Sequence, residues 1–324
     1  MLILMPSANA EDAGGILKAD LIFGPDKNLD PAYKYTGWYL REAGIYETLF
    51  AYDSDMNLVP ELATGYERVS DTEWRIQLRQ GVRFHDGSMM GADDVIYSIQ
   101  RVLDPSNSRH NEYGFIESVE KAGDDAVLIR TKEPYAPTIA SLTDPLVSVV
   151  RPGVDLNTTP VGTGPFRFES YENGVRLEVR RFDDYWGGAA KLDGAVINYV
   201  SDPMTRALQL EGGDVEISRG FPQTEVSSIE GRSDLDLLQR ETLRSYFLYV
   251  NMKRAPFDDP KVRKALNYAI DRQEIVDTAL EGIGGVPAVG VFPSVLPWSA
   301  NDDLSAYAHD PEKALALLSE AGIK

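Results

Sequence analysis

Residues 160–182, PVGTGPFRFESYENGVRLEVRRF, decide the fold class of this chain. The stretches 166–168 and 175–179 alternate apolar and polar residues, and Asn173-Gly174 between them supplies the positive φ angles of a tight hairpin turn. Gly162-Thr163-Gly164 comes nearest to a phosphate loop, but a proline and then a strand follow it where a phosphate loop requires a helix. The segment therefore predicts a turn that leads into a β-hairpin.

Strand and helix signals alternate on both sides of this hairpin. The apolar periodicity predicts strands over 19–23, 74–84, 194–200 and 245–251, and helices over 38–50 and around Val95, Ile99 and Val102. Aspartate-proline pairs at 202-203, 259-260 and 310-311 each combine an N-cap with a proline at the first helical position, so they predict three further helix starts. Alternation of this kind is typical of mixed α/β domains.

Composition narrows the function. The 324 residues, 43% of them hydrophobic, suffice for more than one domain, and the net charge of −19 argues against nucleic acid and anionic membranes as partners. Cysteine is absent, so disulfides, zinc thiolates and cysteine nucleophiles are excluded. The three histidines, His85, His110 and His309, are dispersed, which leaves no evident nucleophile and base pair. We therefore expect no enzyme and no cofactor.

The two ends of the chain carry their own expectations. Residues 1–10, MLILMPSANA, are typical of the end of a secretory signal, with Ala8 and Ala10 before a cleavage position. We expect 1–10 to be a signal-peptide remnant and the mature, exported protein to begin near Glu11. The helices predicted after residue 255 have no sheet of their own, so we also expect the last domain to be incomplete.

Several short motifs occur in one order along the chain. They are IYETL (45–49), LVPELA (58–63), RQGVRFHDG (79–87), PVGTGPF (160–166), YWGG (185–188), GDVE (213–216) and VRKALNYAI (262–270). Their order and spacing resemble the large periplasmic solute-binding proteins of ABC importers for peptides and nickel, from about residue 17 onward.

The resemblance implies a two-lobed periplasmic-binding-protein fold of type II, of class α/β. It implies a first lobe from 17–50 and 165–250, an inserted subdomain over 51–164 and the start of a truncated second lobe over 255–324. It further implies a periplasmic monomer that captures a small ligand between its lobes and delivers it to the permease subunits of an inner-membrane transporter.

The resemblance also places ligand contacts outside the glycine and proline motifs. Trp38 and Tyr39 stand where aromatic rings of the family face the ligand, and nickel-binding members carry an arginine at the position of Arg109 to hold carboxylates of a metal chelate. A guanidinium suits a carboxylate through paired hydrogen bonds. A surface salt bridge is the alternative for Arg109. A second arginine of the nickel binders is not matched, because Leu146 stands at the nearest position and Arg151 is displaced.

Three more residues complete the candidate site. His110 and Tyr113 share the loop of Arg109, and His110 is the one possible metal contact that we identify. Tyr246 lies on the predicted strand 245–251 and contacts either the ligand or the core. The ligand stays open between a nickel chelate, slightly favoured by Arg109-His110, and a dipeptide or oligopeptide; a sensory or chaperone-like binding protein is the alternative from another class.

Overall fold

A computed structural model describes residues 2–5, 14–296, 298–299, 301, 304 and 307–323. The chain divides into two compact units, one of Pro6–Arg219 and one of Gly220–Lys324 with Met1–Met5. The expected cleavage position at Ala8 and Ala10 lies outside the described residues, so signal cleavage stays a prediction. The expected division at 50/51, 164/165 and near 255 also stays a prediction.

The first unit contains a mixed sheet built outward from the hairpin. Its strands lie side by side in the order β12 (Ile217–Arg219), β2 (Ile16–Leu21), β11 (Gly194–Tyr199), β10 (Arg176–Arg181) and β9 (Phe166–Glu172). β9 and β10 are antiparallel, and Gly174 in the turn has φ 71°, which confirms the predicted hairpin. β2 runs parallel to both of its neighbours, β11 and β12. Leu177, Val179 and Ile197 of this sheet share a buried core with Leu40 and Ile45.

A second layer of the same unit is formed by the residues between the two halves of that sheet. β3 (Phe50–Tyr52) pairs with β4 (Leu58–Pro60), and a four-stranded antiparallel sheet has the order β5 (Ala63–Arg68), β6 (Glu73–Leu78), β8 (Ala126–Thr131), β7 (Ile116–Lys121). The helix α2 (Ala92–Leu103) packs on this sheet through Val95, Ile99 and Val102, which are at most 1% exposed. The predicted stripe is therefore the buried face of α2.

The helix predicted over 38–50 is shorter than expected. α1 spans Thr36–Glu42, and the chain then turns at Gly44, whose φ of 75° suits a glycine after a helix end. Residues from Phe50 onward enter β3 instead of continuing the helix. Further α-helices of this unit are α3 (Thr138–Ser141) and α4 (Pro203–Glu211), and the Asp202 side chain caps α4 by accepting the Thr205 N–H at 2.7 Å.

The second unit contains β1 (Leu2–Met5) paired with β13 (Asp236–Gln239), and the helices α5 (Val226–Ile229), α6 (Pro260–Ala269), α7 (Arg272–Ala279) and α8 (Pro311–Glu320). Asp259 and Asp310 cap α6 and α8 as predicted, through the Lys261 and Lys313 N–H groups at 2.7 and 2.9 Å. The predicted strand over 245–251 is not formed. A strand needs a neighbour for its backbone hydrogen bonds, and the described residues supply none to this stretch.

Candidate ligand-binding site

Exposed aromatic rings mark the start of α1. Tyr33, Tyr35 and Trp38 are 36%, 63% and 53% exposed, although large rings usually bury their area. A cluster of exposed rings is typical of a surface that binds something. We refer to these three residues, with Arg109, Glu112 and Asp144, as the rim.

The backbone holds the rim in place. A Cβ atom on Gly37 would lie 2.6 Å from the carbonyl oxygen of Pro145 and 2.8 Å from that of Pro31, so only glycine lets α1 approach these two segments so closely. Asp144 begins the turn that contains Pro145, and its carboxylate accepts the Leu146 N–H at 2.9 Å. The start of α1 and the Asp144 turn therefore lie against each other as one surface.

The Arg109 guanidinium makes several polar contacts and one aromatic contact. Its Nε and Nη2 donate to Glu112 at 2.8 and 2.7 Å, Nη2 also donates to Asp144 at 3.0 Å, and Nη1 donates to the carbonyl of Lys34 at 3.4 Å. The guanidinium lies 5.1 Å from the centre of the Tyr35 ring, a cation–π contact. The hydrogen bonds that Arg109 donates to Glu112, and then the nearby charge of Asp144, raise the pKa of Arg109. These contacts fit the salt-bridge alternative for Arg109, although the Arg109 side chain is only 14% exposed.

The other expected site residues fall in different surroundings. His110 Nδ1 lies 2.8 Å from the carbonyl oxygen of Asn107, an acceptor, so Nδ1 is the nitrogen that donates there and the neutral form of the ring would have its lone pair on Nε2. Tyr113 is 3% exposed and its hydroxyl donates to the Ser141 carbonyl at 3.1 Å, inside the core. Tyr39 is half-buried, and burial raises its pKa. Tyr246 belongs to the second unit and is 82% exposed, so it is not a core residue.

The two positions considered for a second arginine, 146 and 151, have other surroundings. Leu146 is 2% exposed, and Arg151 lies 3.4 Å from Asp86 and 3.6 Å from Asp94 at the start of α2. Arg109 follows the other end of α2, and a helix of 12 residues spans about 18 Å. Neither Leu146 nor Arg151 therefore supplies the second arginine that the resemblance to nickel binders implies.

In the part of the chain that the structure describes, histidine, aspartate and glutamate side chains form no group of three that could hold a metal ion. No helix of that part has the length and apolar character needed to cross a bilayer.

A buried carboxylate was missed by the sequence interpretation. Glu47 is 3% exposed, and its oxygens accept hydrogen bonds from Thr163 Oγ1 at 2.7 Å, Tyr185 OH at 2.8 Å and Trp186 Nε1 at 3.1 and 3.2 Å. Burial, and then the charge of Glu61, raises the pKa of Glu47 to about 7, although the three donors oppose the shift. We refer to these four residues, with His85, as the junction.

The junction joins the two layers of the first unit. Thr163 lies on the segment that enters β9, Tyr185 and Trp186 follow β10, and the Arg79 guanidinium from beyond β6 stacks 3.9 Å from the Trp186 ring centre. His85 accepts the Gly162 N–H at 3.3 Å and donates through Nε2 to the Gly164 carbonyl at 3.0 Å. Burial lowers the pKa of His85 to about 4, so the ring is neutral near pH 7.

The two glycines of the predicted turn, Gly162 and Gly164, allow the turn to pack closely against the segment before Glu47. A Cβ atom on Gly162 would overlap the Ile45 carbonyl, and one on Gly164 would overlap the Gly44 carbonyl. The backbone of the turn therefore fits flush against the segment that carries Glu47. A glutamate within the apolar run IYETLF was the one sequence signal for this role, but its partners stand 116 to 139 positions away.

Comparisons with known proteins agree with the motif pattern. The profile of bacterial extracellular solute-binding proteins, family 5 Middle, matches residues 57–324. The glutathione-binding protein GsiB of Pectobacterium atrosepticum is 33% identical over 287 residues, which are 86% of this chain and 55% of that protein. Its counterpart from Salmonella paratyphi A is 35% identical over 86% of this chain and 56% of its own length. The chain thus spans about half the length of these curated relatives.

Solved structures give the same picture. The periplasmic binding protein DppA of Helicobacter pylori in complex with the peptide STSA matches with a TM-score of 0.82 and 26% identity, over 96% of this chain and 67% of that one. A nickel ABC transporter structure from Bacillus halodurans matches with a TM-score of 0.78 and 33% identity, over 94% and 63%.

These likenesses confirm the expected α/β fold of type II periplasmic binding proteins. A solute-binding family also agrees with the expectation that the chain is not an enzyme. The chain belongs to the bacterial extracellular solute-binding proteins of family 5.

Proposed function

We propose that this chain is the solute-capturing component of an ABC importer and that it takes up its ligand outside the cytoplasm, as a monomer in the periplasm. The observation that carries the proposal is the cluster of exposed rings at the rim, present in a member of a family whose description is solute binding. The ligand would then be passed to permease subunits of the transporter.

The ligand that these features support best is a short peptide or a peptide-like molecule. The curated relatives quoted above bind glutathione, and the DppA structure holds a four-residue peptide. Flat aromatic rings such as Tyr35 and Trp38 pack against amide groups and aliphatic side chains without requiring one sequence. Leu146 is buried and Arg151 pairs with Asp86, so neither position supplies the second arginine expected for a metal-chelate site.

Calorimetry would test the ligand class. Glutathione, the peptide Ser-Thr-Ser-Ala and nickel bound by two histidines should be titrated into the 324-residue chain. We expect heat of binding from at least one of the two peptides and a weaker response to the nickel complex. Tight binding of the nickel complex alone would replace a peptide by a metal chelate as the ligand.

A nickel chelate remains the second candidate, because the nickel transporter structure is 33% identical and because the contact of Nδ1 with Asn107 leaves Nε2 as the nitrogen of His110 that could bind a metal. A chelate that brings most of its own ligands would need only one imidazole from the protein. His110→Ala distinguishes the candidates, since it should weaken binding of the nickel complex while leaving binding of Ser-Thr-Ser-Ala unchanged.

A further inference from the structure

Arg109 has the residue type and place of a receptor for a ligand carboxylate, but its contacts describe another role. We propose that Arg109 is a positioning residue, which fixes the aromatic rim, and that ligand recognition at the rim does not depend on a ligand carboxylate. The inference rests on the proposed function, because it concerns how a captured peptide is recognised.

The first argument is the use of its donors. A guanidinium has five N–H groups, and the contacts to Glu112, Asp144 and the Lys34 carbonyl engage four of them. Only one Nη1 N–H is left, so a ligand carboxylate that takes two N–H groups would have to displace the Lys34 carbonyl or one of the two bound carboxylates. Displacing a carboxylate gains little, because one charge-assisted pair replaces another while the displaced carboxylate loses its partner.

The second argument is charge. One guanidinium faces two carboxylates, so the cluster of Arg109, Glu112 and Asp144 has a formal charge of −1. Glu112 is the more exposed of the two, with a side-chain exposure of 53%. An incoming carboxylate would approach a net negative group, which repels it. Neighbouring Lys34 does not reverse the sign, because it pairs with Asp26 at 2.7 Å.

The third argument is connectivity. Arg109 contacts three separate segments: the Tyr35 ring and Lys34 carbonyl before α1, Glu112 in its own loop, and Asp144 in the turn against α1. The amides of Tyr33, Thr36 and Trp38 are bonded to the Asp30, Tyr33 and Tyr35 carbonyls in the first of these segments. Loss of the guanidinium should therefore loosen this segment and its exposed rings.

Two peptides that differ at one group test the inference. Affinities of Ser-Thr-Ser-Ala and of its C-terminal amide should be measured for the parent chain, Arg109→Ala, Arg109→Lys and Glu112→Gln. We expect all three variants to weaken both peptides by a similar factor, about fivefold or more, with the acid-to-amide ratio unchanged. If Arg109 bound the ligand carboxylate, Arg109→Ala would lower the ratio of the affinity for the acid peptide to that for the amide about tenfold, and Glu112→Gln would raise this ratio. Either change in the ratio would overturn the inference.

Hydrogen exchange gives a reading that needs no ligand. Amides 33–38 should exchange faster in Arg109→Ala and Arg109→Lys than in the parent. Arg68→Ala is the matched control, because Arg68 and Asp71 form a surface pair with the same i,i+3 spacing, and it should leave those amides unchanged. Equal exchange in the parent and the Arg109 variants would refute the positioning role. If the parent binds neither peptide, the proposed ligand class fails and hydrogen exchange alone decides the role of Arg109.

Discussion

The junction and the rim both use carboxylates, aromatic rings and an arginine, but they use them in opposite surroundings. Glu47 is 3% exposed and is satisfied by neutral donors, whereas the Glu112 side chain is 53% exposed and pairs with a charge. The pKa of Glu47 rises to about 7 through burial, while hydrogen bonds from Arg109 lower that of Glu112. The same residue type is therefore costly to ionise in one place and easily ionised in the other.

The difference separates stability from binding. The junction is formed by the motifs that carry the family resemblance, 45–49, 79–87, 160–166 and 185–188, and these hold two layers together. The rim comes from the start of α1 with the residues before it, 33–38, and from the loops at 109–112 and 144. Changes at the junction should act on folding, and changes at the rim should act on ligand affinity.

Glu47→Ala should have the largest effect. It leaves the donors of Thr163, Tyr185 and Trp186 without an acceptor, which we expect to lower the free energy of unfolding by about 3 kcal/mol or more at pH 7. Urea unfolding of the first unit, followed by circular dichroism, would measure the loss. Glu47→Gln keeps one acceptor and should lose less. A loss no greater than that of Arg109→Ala, about 1 kcal/mol, would erase the distinction between junction and rim.

The pH dependence of unfolding should expose two opposing groups in the junction. The pKa of Glu47 is raised from 4.5 to about 7, so its contribution is complete below pH 4.5 and is lost as pH rises to 7. The pKa of His85 is lowered from 6.5 to about 4, so its contribution is complete above pH 6.5 and is lost as pH falls to 4. Between pH 4.5 and 6.5 the two dependences cancel.

Variants would separate these contributions. Relative to the parent, Glu47→Gln should gain about 2–3 kcal/mol in free energy of unfolding from pH 4.5 to 6.5, since a difference of one bound proton between the folded and unfolded states changes that free energy by about 1.4 kcal/mol per pH unit. His85→Gln should lose a similar amount over the same range. Urea titrations at pH 4.5, 5.5 and 6.5 provide the measurement. Differences that do not change with pH would mean that neither group is perturbed by burial.

Gly37→Ala would damage the rim through the backbone. The added Cβ would lie 2.6 Å from the Pro145 carbonyl oxygen, so α1 or the Asp144 turn must move. We expect a loss of about 1–3 kcal/mol in stability, together with weaker ligand binding. Gly65→Ala is the matched control, because its Cβ would meet no atom within 4 Å. Similar behaviour of the two variants would show that the close approach at Gly37 is unimportant.

Trp38→Ala should have the smallest effect on folding. Its side chain is 53% exposed, so the free energy of unfolding should change by less than about 0.5 kcal/mol. Peptide affinity should nevertheless fall about fivefold to tenfold if the ring packs on the ligand. Calorimetry with Ser-Thr-Ser-Ala measures that fall. Unchanged affinity would remove Trp38 from the ligand contacts and leave the other two rings of the rim.

Local chemistry explains how much of the fold was predictable. The hairpin at Asn173-Gly174 and the caps at Asp202, Asp259 and Asp310 depend on neighbouring residues, and all of them form as predicted. α1 was predicted too long, because the apolar pattern continues through residue 50 while the chain turns at Gly44. The prediction of a strand over 245–251 was wrong, because a strand requires a neighbouring strand that its own sequence does not specify.

The sites were harder to predict, for a related reason. Arg109 was identified by its position, but the pairing of its guanidinium with Asp144 joins residues 35 positions apart. Glu47 was missed altogether, because Thr163 and Trp186 reach it only after the chain has folded. The role of each of these two side chains depends on its burial and on how many of its hydrogen-bonding groups already have partners. Neither property can be read from a single segment of sequence.

The flush packing at Gly162 and Gly164 has a genetic consequence. Every amino acid other than glycine carries a Cβ, and at these positions that one carbon already overlaps the carbonyl of Ile45 or Gly44. Alanine and serine should therefore be rejected as firmly as tryptophan. In a saturation library of the gene selected for folded protein, these two codons should return only synonymous changes, whereas the codon for Gly65 should accept missense changes.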